Sequence, residues 1–184
     1  MIIIYACLAL LALHAVLPGS SLRGLGRVQL RQTKLVWLAL AAQVLLMSVL
    51  PDSRPGLSRA AHLATYALAG LFVLANRQVP GVWVIATGGA LNLAAIVANG
   101  GTMPASRRAL ESSGWQQDPD RFANSAVLDD PRLPWLGDVF AIPTVSVFSV
   151  GDVVIVLGVA VLLHRVCRPS GQLDEPSGLP ARAS

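Results

Sequence analysis

Asp138 and Asp152 both sit in apolar surroundings. Asp138 lies in Trp135-Leu136-Gly137-Asp138-Val139-Phe140, and Asp152 lies in Phe148-Ser149-Val150-Gly151-Asp152-Val153. Burial raises a carboxyl pKa, and two carboxylates held close together cannot both ionise easily. Such a pair supplies one acid and one base, which is how aspartic proteases activate water. Each residue also has a plain architectural use. An aspartate at a helix N-terminus meets the positive end of the macrodipole, and Ser149 or Asp152 can cap that helix. Separation along the chain does not reveal whether the two acids meet.

Asn92 and Asn99 are the next candidates. Their spacing is close to two helical turns, so they share a face, with Asn92 about 10 Å deeper. Gly88, Gly89 and Ala90 precede them. Small residues let a second helix approach, and interhelical hydrogen bonding is then the structural use of an asparagine. In Asn99-Gly100-Gly101-Thr102-Met103-Pro104, two glycines permit positive φ and the proline fixes the exit. The same segment also reads as an ordinary helix stop. The candidate polar site is therefore Asn92, Asn99, Gly100, Gly101, Asp138, Ser149 and Asp152, with the two aspartates as the catalytic pair if chemistry occurs there.

Metal and cofactor chemistry find no support. Cys7 and Cys167 lack a partner pattern and are expected to be free thiols. His14, His62 and Gln43 stand alone in apolar runs. Asp118, Asp120, Asp129 and Asp130 have proline neighbours and lack the spacing of an EF-hand calcium loop. No metal and no cofactor are expected.

The elements that would hold these residues are apolar. Hydrophobic residues make up 54% of the 184 and charged residues 13%, against about 25% charged in a soluble domain. Mean hydropathy is +0.60. The expected fold is all-α, a multi-pass transmembrane bundle of about five helices in a domain covering 1–168. Its spans are about 1–17, 35–50, 59–75, 81–98 and 147–163. A long extracytoplasmic loop, 99–146, precedes the last helix, and a disordered cytoplasmic tail covers 169–184. Within the loop, 106–113 reads as a short helix, and Trp115 and Trp135 suit a membrane interface. The first run has no Lys or Arg before it and no cleavage pattern after it, so it reads as a retained span rather than a signal peptide.

The net charge of +4 comes from cations lying between apolar runs. It excludes the aromatic-basic interleaving of a nucleic-acid binder. Arg23, Arg27, Arg31, Lys34, Arg77, Arg165 and Arg168 fall on one side of the expected topology. Arg54, Arg59, Arg107 and Arg108 fall on the other. That balance places the N-terminus outside and the C-terminus in the cytoplasm of an inner (plasma) membrane. The expected partners are the lipid bilayer and a membrane-embedded peptide or another envelope protein.

The order NGGTMP, LGDVF and FSVGDVVIVLG resembles a family of small bacterial membrane proteins, domain-of-unknown-function family 5317. The resemblance covers most of the chain. It implies an inner-membrane protein without an established activity. A second likeness, over about a third of the chain, is to lipoprotein signal peptidase, a membrane aspartyl protease. Gly88-Gly89-Ala90-Leu91-Asn92, Asp138 before Val139-Phe140, and Phe148 to Asp152 are similar to that family's motifs in order. This likeness implies Asp138 and Asp152 as an outward-facing catalytic pair with Asn92 in support. Ser149 stands where that family has asparagine, and Leu93-Ala94-Ala95 stands where it has Asp-Arg. Three functions remain open: a non-catalytic structural or binding protein, an aspartyl hydrolase, and a small transporter subunit using Asp152 and Asn92 on an ion path.

Overall fold

In the computed structural model, the described residues are 2–49, 55–114 and 125–168. The 51–54 turn, Trp115, Asp118, Asp120 and the 169–184 tail lie outside them. The side chains of Gln43 and His62 are likewise outside the description.

The apolar runs fold as helices: α1 (Ile2–Val16), α2 (Thr33–Val49), α3 (Pro55–Ala75), α4 (Val82–Ala98) and α6 (Val150–Val166). Spatial neighbours run α2, α3, α4, α6, α1. Gly19 and Gly100, each at positive φ, mark the turns that follow α1 and α4. Pro55 sits at the first position of α3, where its missing N–H costs nothing.

The expected multi-pass transmembrane bundle is not what forms. No helix among the described residues is long and apolar enough to cross a membrane. The reason is length. Helices α1, α2, α4 and α6 have 15, 17, 17 and 17 residues, or about 23–26 Å at 1.5 Å per residue against a ~30 Å hydrocarbon core. The longer α3, with 21 residues, opens with Pro55-Gly56-Leu57-Ser58-Arg59 and so spends its extra turn on non-apolar sequence.

The fold is also not all-α. The region between α4 and α6 holds the seven-residue helix α5 (Arg107–Ser113) and four short strands: β1 (Met103–Pro104), β2 (Ser125–Ala126), β3 (Phe140–Ile142) and β4 (Ser146–Phe148). Strands β1 and β2 pair in parallel, and Ala105 bridges in parallel to Asp138. Strands β3 and β4 form an antiparallel hairpin. Phe140 and Phe148 are opposite one another there, and their rings stack at 5.3 Å between centroids. Together these pieces form a cap over one end of the helices.

The closest helix pair is α4 against α6, running antiparallel. Gly81 and Gly88 on one side meet Gly158 and Gly151 on the other. A methyl group on Gly88 would lie 2.5 Å from the Gly151 carbonyl oxygen, and one on Gly81 would lie 2.2 Å from that of Gly158. The two glycines of each segment share the same spacing, nearly two turns, so they form one stripe and let the backbones touch. Beneath the cap, Ala95, Ile96 and Met103 form a buried cluster with Leu63, Tyr66 and Leu136 packed on it.

Candidate functional site

Asn92 and Asp152 come together across the α4–α6 contact. Asn92 Nδ2 donates to Asp152 Oδ1 at 2.8 Å, and the Ser149 hydroxyl donates to Asn92 Oδ1 at 2.8 Å. Ser149 is the N-cap of α6. Its oxygen accepts the Asp152 N–H at 3.0 Å, while Asp152 Oδ2 accepts the Ser149 N–H at 3.2 Å. This is a reciprocal capping box, with Asn92 bridging it to the neighbouring helix. Gly151 makes the bridge possible, since a Cβ there would sit 2.0 Å from Asn92 Oδ1. Ser149 is completely buried, so its hydroxyl depends on these internal partners.

Asn99 does not join this network, although it shares a helix face with Asn92. At the end of α4, its Nδ2 donates to the Ala95 and Arg132 carbonyls, both at 2.7 Å, and its Oδ1 accepts the Arg132 N–H at 2.8 Å. It pins the cap loop to the helix end. Gly100 and Gly101, at φ +65° and +97°, make the turn, and the Gly101 N–H returns to Ile96 O at 2.8 Å. These two glycines serve the chain reversal.

Asp138 is buried, 7% exposed, on the segment that bridges β1. Its N–H donates to Pro104 O at 2.9 Å and its carbonyl accepts from Ser106 N at 3.0 Å. Gly137 just before it fits tightly, because a Cβ would lie 2.1 Å from Pro104 O. The Ser125 hydroxyl donates to Asp138 Oδ2. Burial pushes the Asp138 carboxyl above its ordinary value. The Ser125 hydrogen bond pulls it back, and the Asp152 carboxylate pushes it further up. Tyr66 feels the charge of both acids. Its phenol is pushed up to about 12, first by burial, then by Asp152 and Asp138. The two aspartates thus share an electrostatic neighbourhood while keeping separate hydrogen-bond partners.

A cavity of about 420 Å³ opens on the cap, lined by Pro104, Arg107, Leu128, Trp135 and Val139 among others. Neither Asp138 nor Asp152 lines it. Successive residues of an extended segment point to opposite faces, so Val139 faces the cavity while Asp138 turns toward Ser125.

Sequence reasoning missed Ser125, which is the direct partner of Asp138, and Asn76. Asn76 is buried at the end of α3. It accepts the Arg31 N–H at 2.8 Å and donates to the Arg31 and Phe72 carbonyls at 2.9 and 2.8 Å. An asparagine immediately after an apolar run was the available signal. Tyr66 offered no signal beyond a polar aromatic within an apolar run. Cys7 and Cys167 are free, as expected. Among the described residues, no cluster of His, Cys, Asp or Glu could hold a metal ion.

Fold and site together define a small helical protein whose helices are locked by glycine contacts and a polar latch, and which carries a mixed α/β cap. Residues 27–164 match the family of unknown function DUF5317, so the chain belongs to that family. No curated protein and no solved structure matches it.

Proposed function

We propose that the chain is a non-catalytic binding protein, in which the helical body holds a cap that docks an apolar segment of another envelope protein. The observation that carries this reading is the fate of the candidate site. Both oxygens of Asp152, the Ser149 hydroxyl and both amide groups of Asn92 and Asn99 bond within the protein. Groups committed in this way position helices and loops. The outward features lie elsewhere on the cap. Trp135 is 63% exposed, and Phe140, Ile142 and Val145 are also exposed. Trp135 rims the cavity together with Arg107. Buried aromatic and arginine anchors dominate binding energy at protein interfaces.

A photo-crosslinking residue in place of Trp135, expressed in cells, tests this. A discrete adduct that disappears with Arg107→Glu is expected. The same residue at exposed Asp129 should give no such adduct. Identical adducts from both positions, or none from Trp135, would refute the docking reading.

A second reading, an aspartyl hydrolase acting on a membrane-embedded peptide, is favoured by one observation. Burial, with the Asp152 charge adding to it, raises the Asp138 carboxyl above its ordinary value, and a carboxyl held toward its protonated form is what a general acid needs. Asp138→Asn decides between the two. If that variant folds normally and retains the Trp135 adduct and the cellular phenotype of the parent chain, the hydrolase reading fails. Loss of phenotype with an intact adduct would favour it.

A further inference from the structure

The termini of several helices gather at the end of the molecule opposite the cap. Ser21 N donates to Cys167 O at 2.8 Å, joining the segment after α1 to the end of α6. Gly24, in the 3-10 turn Leu22–Arg27, packs so tightly that a Cβ would lie 1.9 Å from Val166 O. Asn76 ties the end of α3 to Arg31, just before α2. These contacts place Arg23, Arg27, Arg31, Lys34, Arg77 and Arg165 at one end, and all six are exposed.

Among the described residues, no acidic side chain accompanies them. The described acids, Glu111, Asp129, Asp130, Asp138 and Asp152, belong to the cap and the helix ends beneath it. Among the described residues, this end is therefore basic without opposing carboxylates, while the five acids lie toward the other end. Exposed apolar side chains are interleaved with the cations, at Leu17, Leu22, Leu30, Val36 and Trp37.

We infer that this basic end docks on the anionic phospholipid headgroup layer of a membrane. The charge is complementary to lipid phosphate, and arginine binds phosphate through its planar fork of donors. The interleaved leucines and Trp37 distinguish lipid from nucleic acid. A headgroup layer accepts apolar side chains at the acyl boundary and tryptophan at its own level, whereas a phosphate backbone offers neither. This surface is distinct from the cap, and the inference does not depend on what the cap binds.

The test is flotation of the full chain with vesicles of phosphatidylglycerol or of phosphatidylcholine at ~0.1 M salt, where exposed charges still act over about 10 Å. Binding should be stronger to phosphatidylglycerol and should weaken as salt rises. Each cation near such a surface contributes about fivefold, so Arg23→Gln/Arg27→Gln/Arg31→Gln together should weaken binding on the order of a hundredfold. Arg77→Gln/Arg165→Gln, on different elements, should weaken it by about 25-fold and stands in if the triple variant misfolds by circular dichroism. Equal binding to both lipids, or unchanged binding by a folded variant, overturns the inference. Tighter binding to duplex DNA than to phosphatidylglycerol vesicles at the same salt also overturns it.

Discussion

Removing the Asn92 side chain tests the latch between α4 and α6 most directly. Asn92→Ala deletes the hydrogen bond to the Asp152 carboxylate and leaves the Ser149 hydroxyl, 0% exposed, without its acceptor. A hydrogen bond to a charged group contributes about 1.5–3 kcal/mol and a neutral one about 1 kcal/mol, so the loss should total about 3 kcal/mol. For a chain of this size each kcal/mol moves the melting temperature by about 2–4 °C, giving a fall of roughly 10 °C. Thermal unfolding followed by circular dichroism reads this directly. Thr87→Ala on the same helix is the control. Thr87 is exposed and, among the described residues, bonds only to Trp83 O within its own helix, so its change should stay within about 0.5 kcal/mol. Ser149→Ala completes a double-mutant cycle with Asn92→Ala. Residues in one hydrogen-bond network couple by about 0.5–3 kcal/mol. If Asn92→Ala melts like the Thr87→Ala control, or if the two latch substitutions are strictly additive, the latch is not a cooperative unit and the argument fails.

Two further outcomes follow from the same geometry. Gly151→Ala should cost about 1–3 kcal/mol, because its Cβ would collide with Asn92 Oδ1 and the Gly88 carbonyl. Gly89→Ala, with nothing within 4 Å of its Cβ, should instead stabilise the helix by up to about 1 kcal/mol in chemical denaturation. Stability should also depend on Asp138 in a particular direction. Its folded pKa is raised above the model-peptide value of 3.8, so between those two values the folded state holds more proton than the unfolded chain. Stability from this group therefore falls as pH rises from 3.8 through the raised value, and is flat below it. Asp138→Asn should remove that part of the pH dependence, measured as denaturation midpoint against pH. A variant whose midpoint tracks the parent at every pH would contradict the burial argument.

The sequence by itself located the helices. Apolar composition and glycine or proline breaks suffice to locate helices, because both signals are local. The same local signals misjudged what those helices are. Whether an apolar run crosses a membrane depends on a few residues at each end, and among the described residues α1, α2, α4 and α6 run to 15 to 17 residues. The capping role open to Ser149 and Asp152 was also local, since donor and acceptor lie within one turn.

Tertiary structure alone decided the remainder. Asn92 and Asn99 look equivalent on one helix face, yet one meets α6 and the other meets Arg132, because their partners come from segments far along the chain. Ser125 became the partner of Asp138 only through the pairing of β1 with β2 and the bridge at Ala105. The meeting of Gly88 with Gly151 and of Gly81 with Gly158 required the antiparallel crossing of α4 and α6. Periodicity constrains which residues share a face, but the element opposite that face is chosen by the packing of the whole chain.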